Sequence, residues 1–168
     1  MKLINNKRAK LLSELLKDSR KSDRVLAKVL RVSQPTVTRM RNRLVKDGVI
    51  QEFTIIPNFV KLGYEFFAIS SFRVKVRTDY KEKVRKWVEH YPNVILWANA
   101  EGMGKNAVTI SLHKSFTDYS RFASETQEYW GDDMEDYATL LVSLKAPSVR
   151  PFSLKYLAEQ RKRPEGQQ

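Results

Sequence analysis

The chain has 168 residues, 42% of them hydrophobic and 30% charged, enough for one ordinary domain or two small ones with their own cores. It has no cysteine, which excludes disulfides and thiolate metal sites, and no apolar run approaches the ~20 residues of a membrane span. Residues 1–10 carry four cations and no apolar secretion signal, so a soluble cytoplasmic protein with no membrane partner is expected.

The formal charge of +12 is unevenly placed. Residues 1–50 hold fourteen Lys/Arg against four Asp/Glu, a net of +10; residues 51–144 sum to −2, and the tail from Lys145 to +4. A near-neutral body with a basic head points to a polyanion partner for the head alone.

Leu11, Leu12, Leu15 and Leu16 form an amphipathic repeat that predicts a first helix ending near Asp18-Ser19-Arg20. Ser22 is placed to cap a second helix with Val25, Leu26, Val29 and Leu30 as its apolar face. Only Arg31 and Val32 separate it from a third helix. There Ser33 is expected to accept from a free first-turn amide, Pro35 fits the first turn, and Gly48 supplies the C-terminal cap.

In this third helix Val37, Met40 and Leu44 fall at i, i+3 and i+7 and face inward. Thr38, Arg39, Asn42 and Lys46 point the opposite way, with Thr36 and Arg43 on one flank. Two helices joined by so short a turn, the second rich in Thr, Arg and Asn, make a helix-turn-helix. Gln34, Thr36, Thr38, Arg39 and Asn42 are the expected base contacts, because Arg suits guanine and Asn or Gln suits adenine in the major groove. Ser22, Arg24, Arg41, Arg43 and Lys46 are the expected phosphate contacts. Residues 49–56 are β-prone and read as the wing strand that closes this core.

The residues Asp18-Ser19-Arg20-Lys21-Ser22, Leu26-Ala27, Val32-Ser33, Thr36-Val37-Thr38-Arg39, Arg43-Leu44 and Gly48-Val49-Ile50 resemble the Lrp/AsnC-type transcriptional regulators. Phe53-Thr54, Asn58 and Leu62-Gly63-Tyr64 continue the pattern, and the resemblance runs over about residues 4–145, most specifically over the first 64. Two departures stand out. Arg31 occupies a turn position often filled by Gly, where positive φ costs a bulky residue on the order of 1 kcal/mol. Arg41 replaces the usual aliphatic residue, and is expected to snorkel outward and add a phosphate contact.

Further along, Phe66, Ala68, Ser70, Phe72, Val74 and Val76 alternate onto one face of a strand. Tyr80, Val84, Trp87, Val88 and Tyr91 predict a helix ended by Pro92. Strands over 94–100 and 107–113 flank a glycine-containing turn, and Ser115 or Thr117 caps a helix with Tyr119, Phe122, Ala123 and Thr126 on its stripe. With a strand over 137–144 the order is βαββαβ, the ferredoxin-like pattern, whose second sheet face needs water or another copy.

The expected fold is therefore α+β: a winged helix-turn-helix over residues 1–56, a linker over 57–64, a ferredoxin-like dimerisation and regulator domain over 65–145, and a basic C-terminal extension over 146–168. In that extension Leu154, Leu157 and Ala158 have the spacing of an amphipathic turn or two, and Arg161-Lys162-Arg163 read as a solvated end or a DNA-reaching arm. The resemblance implies a homodimer or higher oligomer. It also implies a small-molecule effector near the turn between the second and third strands, at Gly102, Gly104 and Asn106. In the family that turn usually reads Gly-x-x-Asp; the missing carboxylate removes the counter-charge for an amino acid's ammonium group.

No catalytic constellation is present, and neither an enzyme nor a cofactor is expected. Gly104-Lys105 lacks the spacing of a phosphate loop. His90 and His113 read as ordinary surface or half-buried side chains, and Asp132-Asp133-Met134-Glu135-Asp136 lacks calcium-loop spacing. The expected function is sequence-specific binding of double-stranded DNA at pseudo-palindromic sites, on the nucleoid. An RNA- or metabolite-binding ferredoxin-like module with a basic helical appendage is the alternative, though the RNA-binding strand signature is absent.

Overall fold

A computed structural model describes residues 5–148 and 150–160. The chain divides into two compact units, one within Met1–Ile56 and Arg150–Gln168, the other within Pro57–Val149.

The first unit is built on three helices: α1 (Asn6–Lys17), α2 (Asp23–Leu30) and α3 (Gln34–Lys46). Asn5 starts α1 by accepting from the Lys7 and Arg8 amides, and the Ser22 hydroxyl accepts from the Val25 amide to start α2. The core joins Leu11 and Leu15 of α1, Leu26 and Ala27 of α2, Val37 and Leu44 of α3, and Ile50 beyond them. Leu11, Leu26 and Val37 are wholly buried, each contributing about 1.5–3 kcal/mol of apolar transfer. The α2 stripe runs through Leu26, Ala27 and Leu30; Val25 and Val29, expected inside, are about half exposed.

Both helix ends close by the same device. Arg31 has φ 52° and Gly48 φ 68°, and each lets the next amide fold back: Val32 N–H donates to Ala27 O at 3.1 Å and Val49 N–H to Leu44 O at 2.9 Å. The positive φ expected at Arg31 is therefore present, on a side chain ill suited to it. Residues 51–58 form no strand, contrary to the expected wing ladder. Ile50 reaches the core, but the described part of this unit offers no strand for the next residues to pair with, and a lone β-prone segment has no ladder to complete.

The second unit contains β1 (Phe66–Val74), α4 (Tyr80–His90), β2 (Val94–Gly102), β3 (Lys105–His113), α5 (Phe116–Trp130) and β4 (Met134–Ser143). The strands form one antiparallel sheet in the order β2-β3-β1-β4, with β1 central and registered through Ile69 on both Ile110 and Leu140. Strand β1 stops at Val74, leaving Val76 72% exposed instead of on the inner face. Ser115 caps α5 by accepting from the Asp118 amide. The core is aromatic: Trp97 lies 5.2 Å from Trp87, 5.2 Å from Phe72 and 5.5 Å from Trp130, ring centre to ring centre.

Two histidine and tail expectations are corrected here. His113 is completely buried, its Nε2 2.8 Å from Ser111 Oγ. The C-terminal segment contributes to the first unit: α6 (Lys155–Gln160) packs against α1, burying Ala158. The small Ala158 side chain allows the close approach that a solvated tail would not need. Arg161-Lys162-Arg163 lie outside the described residues.

Candidate nucleic-acid interface

Helix α3 presents two unlike faces. Val37 and Leu44 are buried to within 1%, while Gln34, Thr38, Arg39, Asn42, Arg43 and Lys46 are exposed and Thr36 is half-buried. On the adjoining α2 end, Ser22 and Arg24 are exposed. The expected base and phosphate candidates are thus at least partly exposed, and Arg41 is the one among them that is drawn inward.

Arg41 turns inward and is only 20% exposed. Its Nε and Nη2 donate to Asp23 Oδ1 at 3.0 and 2.7 Å, and Nη2 also donates to Lys21 O at 3.2 Å. Its guanidinium carbon lies 5.8 Å from the centre of the Phe53 ring. The expected phosphate contact is corrected on that ground: two nitrogens of the planar cation converge on one oxygen of the Asp23 carboxylate, and its charge joins α2 to α3.

Asp23 also takes the Thr38 hydroxyl at 2.6 Å. That hydrogen bond first, and then the Arg41 guanidinium, hold the Asp23 carboxyl below the usual carboxylate range against the opposing effect of burial. Asp23 was absent from the residues expected at this surface. One signal was present: it is among only four acids in a head with fourteen cations, and opens a helix, where a carboxylate is favoured.

The α3 start also differs in detail. The Ser33 hydroxyl makes no bond to a first-turn amide; it lies 2.8 Å from Thr36 Oγ1, which also accepts from Arg39 Nη2 at 3.4 Å. At the other end, Asp47 draws in Arg43 at 2.9 Å and Arg8 at 3.3 Å, tying the start of α1 to the end of α3.

In the second unit, the turn between β2 and β3 edges a groove of about 540 Å³ lined by Arg73, Lys75, Glu101, Lys105, Asn106 and Glu135. Asn106, an expected effector residue, uses its amide on the sheet: Oδ1 accepts from Val74 N–H at 2.7 Å and Nδ2 donates to Val74 O at 2.8 Å. Gly104 lies under Arg73, whose Nε donates to its carbonyl at 2.6 Å; an added Cβ would stand 3.1 Å from the guanidinium. Gly102 has φ 142° and open space around it. Among the described residues no group of three or more His, Asp or Glu is placed to hold a metal ion.

A three-helix unit with an outward basic helix, followed by a ferredoxin-like sheet unit, defines a helix-turn-helix protein with a separate α+β module. The winged helix-turn-helix DNA-binding family model matches residues 4–51. The HTH-type transcriptional regulator PF1734 of Pyrococcus furiosus is 48% identical over 60 residues, 36% of this chain and 40% of that protein. PH0061 of Pyrococcus horikoshii, also named an HTH-type transcriptional regulator, is 34% identical over 116 residues, 69% of this chain and 75% of its own length. LrpC of Bacillus subtilis is 33% identical over 84 residues, half of this chain and 57% of LrpC. The crystal structure of PH0061 superposes with a TM-score of 0.76, covering 91% of this chain and 99% of that one at 27% identity. The chain belongs to the Lrp/AsnC-type transcriptional regulators.

No helix among the described residues is long and apolar enough to cross a membrane.

Proposed function

We propose that this chain binds double-stranded DNA sequence-specifically and regulates transcription, acting as a dimer or larger assembly on pseudo-palindromic sites. The observation that carries the reading is α3 itself, with Gln34, Arg39 and Asn42 exposed while Val37 and Leu44 are buried in the core. Base contacts fall to Gln34, Thr36, Thr38, Arg39 and Asn42, and phosphate contacts to Ser22, Arg24, Arg43 and Lys46. Chromosomal DNA as partner would place the protein on the nucleoid.

One such module buries too little surface for genomic specificity, so two-fold pairing with half-sites about one helical turn apart is the expected arrangement. The sheet supports it. Its face away from α4 and α5 carries Phe67 and Ile69 of β1, Val108 and Ile110 of β3, and Leu140 and Val142 of β4. Within that row Leu140 is 70% and Val142 44% exposed, and the other four side chains are half-buried. No effector is assigned to the β2–β3 turn, since Asn106 is already spent on Val74.

Competition between duplex DNA and single-stranded RNA tests the reading, with Arg39→Ala as the variant. Duplex should win, and the variant should lose about 1–3 kcal/mol on the preferred duplex while keeping its affinity for random duplex. A preference for RNA would overturn the reading.

A further inference from the structure

Thr38 is an exposed α3 residue whose hydrogen-bond polarity is fixed from within the protein. Its hydroxyl lies 2.6 Å from Asp23 Oδ2 and 3.2 Å from the carbonyl of Gln34. Both neighbours are acceptors. A hydroxyl has a single hydrogen and two lone pairs, so that hydrogen is committed inward. Outward, Thr38 is left with lone pairs and its methyl group.

Asp23 is well placed to enforce this. Its other oxygen is held by the fork of Arg41, which is itself pinned by the Lys21 carbonyl. The carboxylate therefore cannot rotate away from Thr38 without breaking two charge-assisted bonds.

We propose that Asp23 is a specificity-positioning residue: by taking the Thr38 hydrogen it turns Thr38 into an acceptor-plus-methyl reader that selects an A·T pair at the base step it faces. The inference rests on the DNA-binding reading above. In the major groove, adenine and cytosine offer amino donors, guanine offers two acceptors, and thymine adds a methyl. A·T is the pair that offers an amino donor and a methyl together. A·T and G·C both also present acceptors, and cytosine an amino donor, so the discrimination rests on the thymine methyl meeting the Thr38 methyl while adenine N6 donates to its lone pairs. Guanine's N7 and O6 at that place find no hydrogen on Thr38.

The test is selection from a randomised duplex library by the full-length protein, its variants and the wild type in parallel. Wild type should enrich A·T at one position of each half-site. Thr38→Ala and Asp23→Ala should each lose roughly fivefold to tenfold of the discrimination against G·C there, with other positions kept. Arg41→Leu, which removes the fork that holds Asp23 toward Thr38, should weaken the A·T preference by no more than Asp23→Ala does, and a larger loss would overturn the inference. If Asp23→Ala is unfolded by its stranded guanidinium, the double variant Asp23→Ala/Arg41→Leu carries the same expectation without an unpaired inner cation. An unchanged motif in the folded Asp23 variant, or in Thr38→Ala, would overturn the inference alone. A wild type that enriches no motif would instead overturn the DNA-binding reading.

Discussion

Replacing Asp23 by Ala, Arg41 by Leu, and then both, measures how much the inner ion pair contributes to the stability of the first unit. Opposite charges about 4 Å apart attract by roughly 4 kcal/mol at an effective dielectric of 20, before desolvation is subtracted. Asp23 and Arg41 are each about four-fifths buried, and the contact is a fork of 2.7 and 3.0 Å, so charge-assisted bonding of this kind leaves about 1.5–3 kcal/mol net. In a unit of this size each kcal/mol moves the midpoint by about 4–8 °C, so Asp23→Ala should lower it by on the order of 10 °C. The assay can be made unit-specific. All three tryptophans, Trp87, Trp97 and Trp130, lie in the second unit, so fluorescence follows that unit, while the far-ultraviolet helix signal and amide exchange in α2 and α3 follow the first. The pH sign is fixed by the lowered Asp23 carboxyl: its contribution is complete above an unfolded value near ~3.9 and is lost as pH falls through the lower folded one. Coupling should be full at neutral pH and vanish in strong acid. Single-variant losses that simply add in the double variant would refute the pairing.

Three other outcomes are expected. Arg31→Gly should stabilise the first unit by up to about 1 kcal/mol in thermal melts, because relief at φ 52° exceeds glycine's entropic penalty; Arg31→Val should destabilise it. Burial pushes the His113 imidazole down, against the opposing pull of Asp118, so the second unit should lose stability as pH falls below the ordinary histidine range. Tryptophan-detected denaturation should show a slope of at most ~1.4 kcal/mol per pH unit, flattened in His113→Gln; an equal slope in the variant would assign it elsewhere. On the proposed pairing through the sheet, Leu140→Lys should leave the full-length chain monomeric in sedimentation, with the second unit still folded, where the unaltered chain is dimeric; a dimer surviving that charge would move the interface off the open sheet face.

Helices α1 to α3 and the βαββαβ order were legible because each rests on a local signal: leucine spacing, a serine before a run, a glycine after it. Pairings across elements were not. Asp23 and Arg41 are separated by 18 positions, and only the helix crossing brings them together. Val25 and Val29 fitted an apolar stripe as well as Ala27 did; the tertiary choice of Leu26, Ala27 and Leu30 rotates α2 by about one residue. The wing failed for a different reason, since β-propensity describes a pleated surface that still needs a neighbour. His113 looked ordinary because nothing in its own neighbourhood announces that β3 runs under α5. The spacing of Leu154, Leu157 and Ala158 showed a short amphipathic helix but not its partner, and the residue that is buried is Ala158, while both leucines stay about half exposed.

The seat of α6 on α1 makes the basic head discontinuous in the chain, with the whole sheet unit spliced between its two pieces. A fragment stopping at residue 56 lacks the last helix of its own support, and a newly made head is whole only once residues 155–160 have followed the sheet unit. Fusing cargo directly after Gln160 would therefore burden the proposed reading head, although that position is more than a hundred residues downstream of α3.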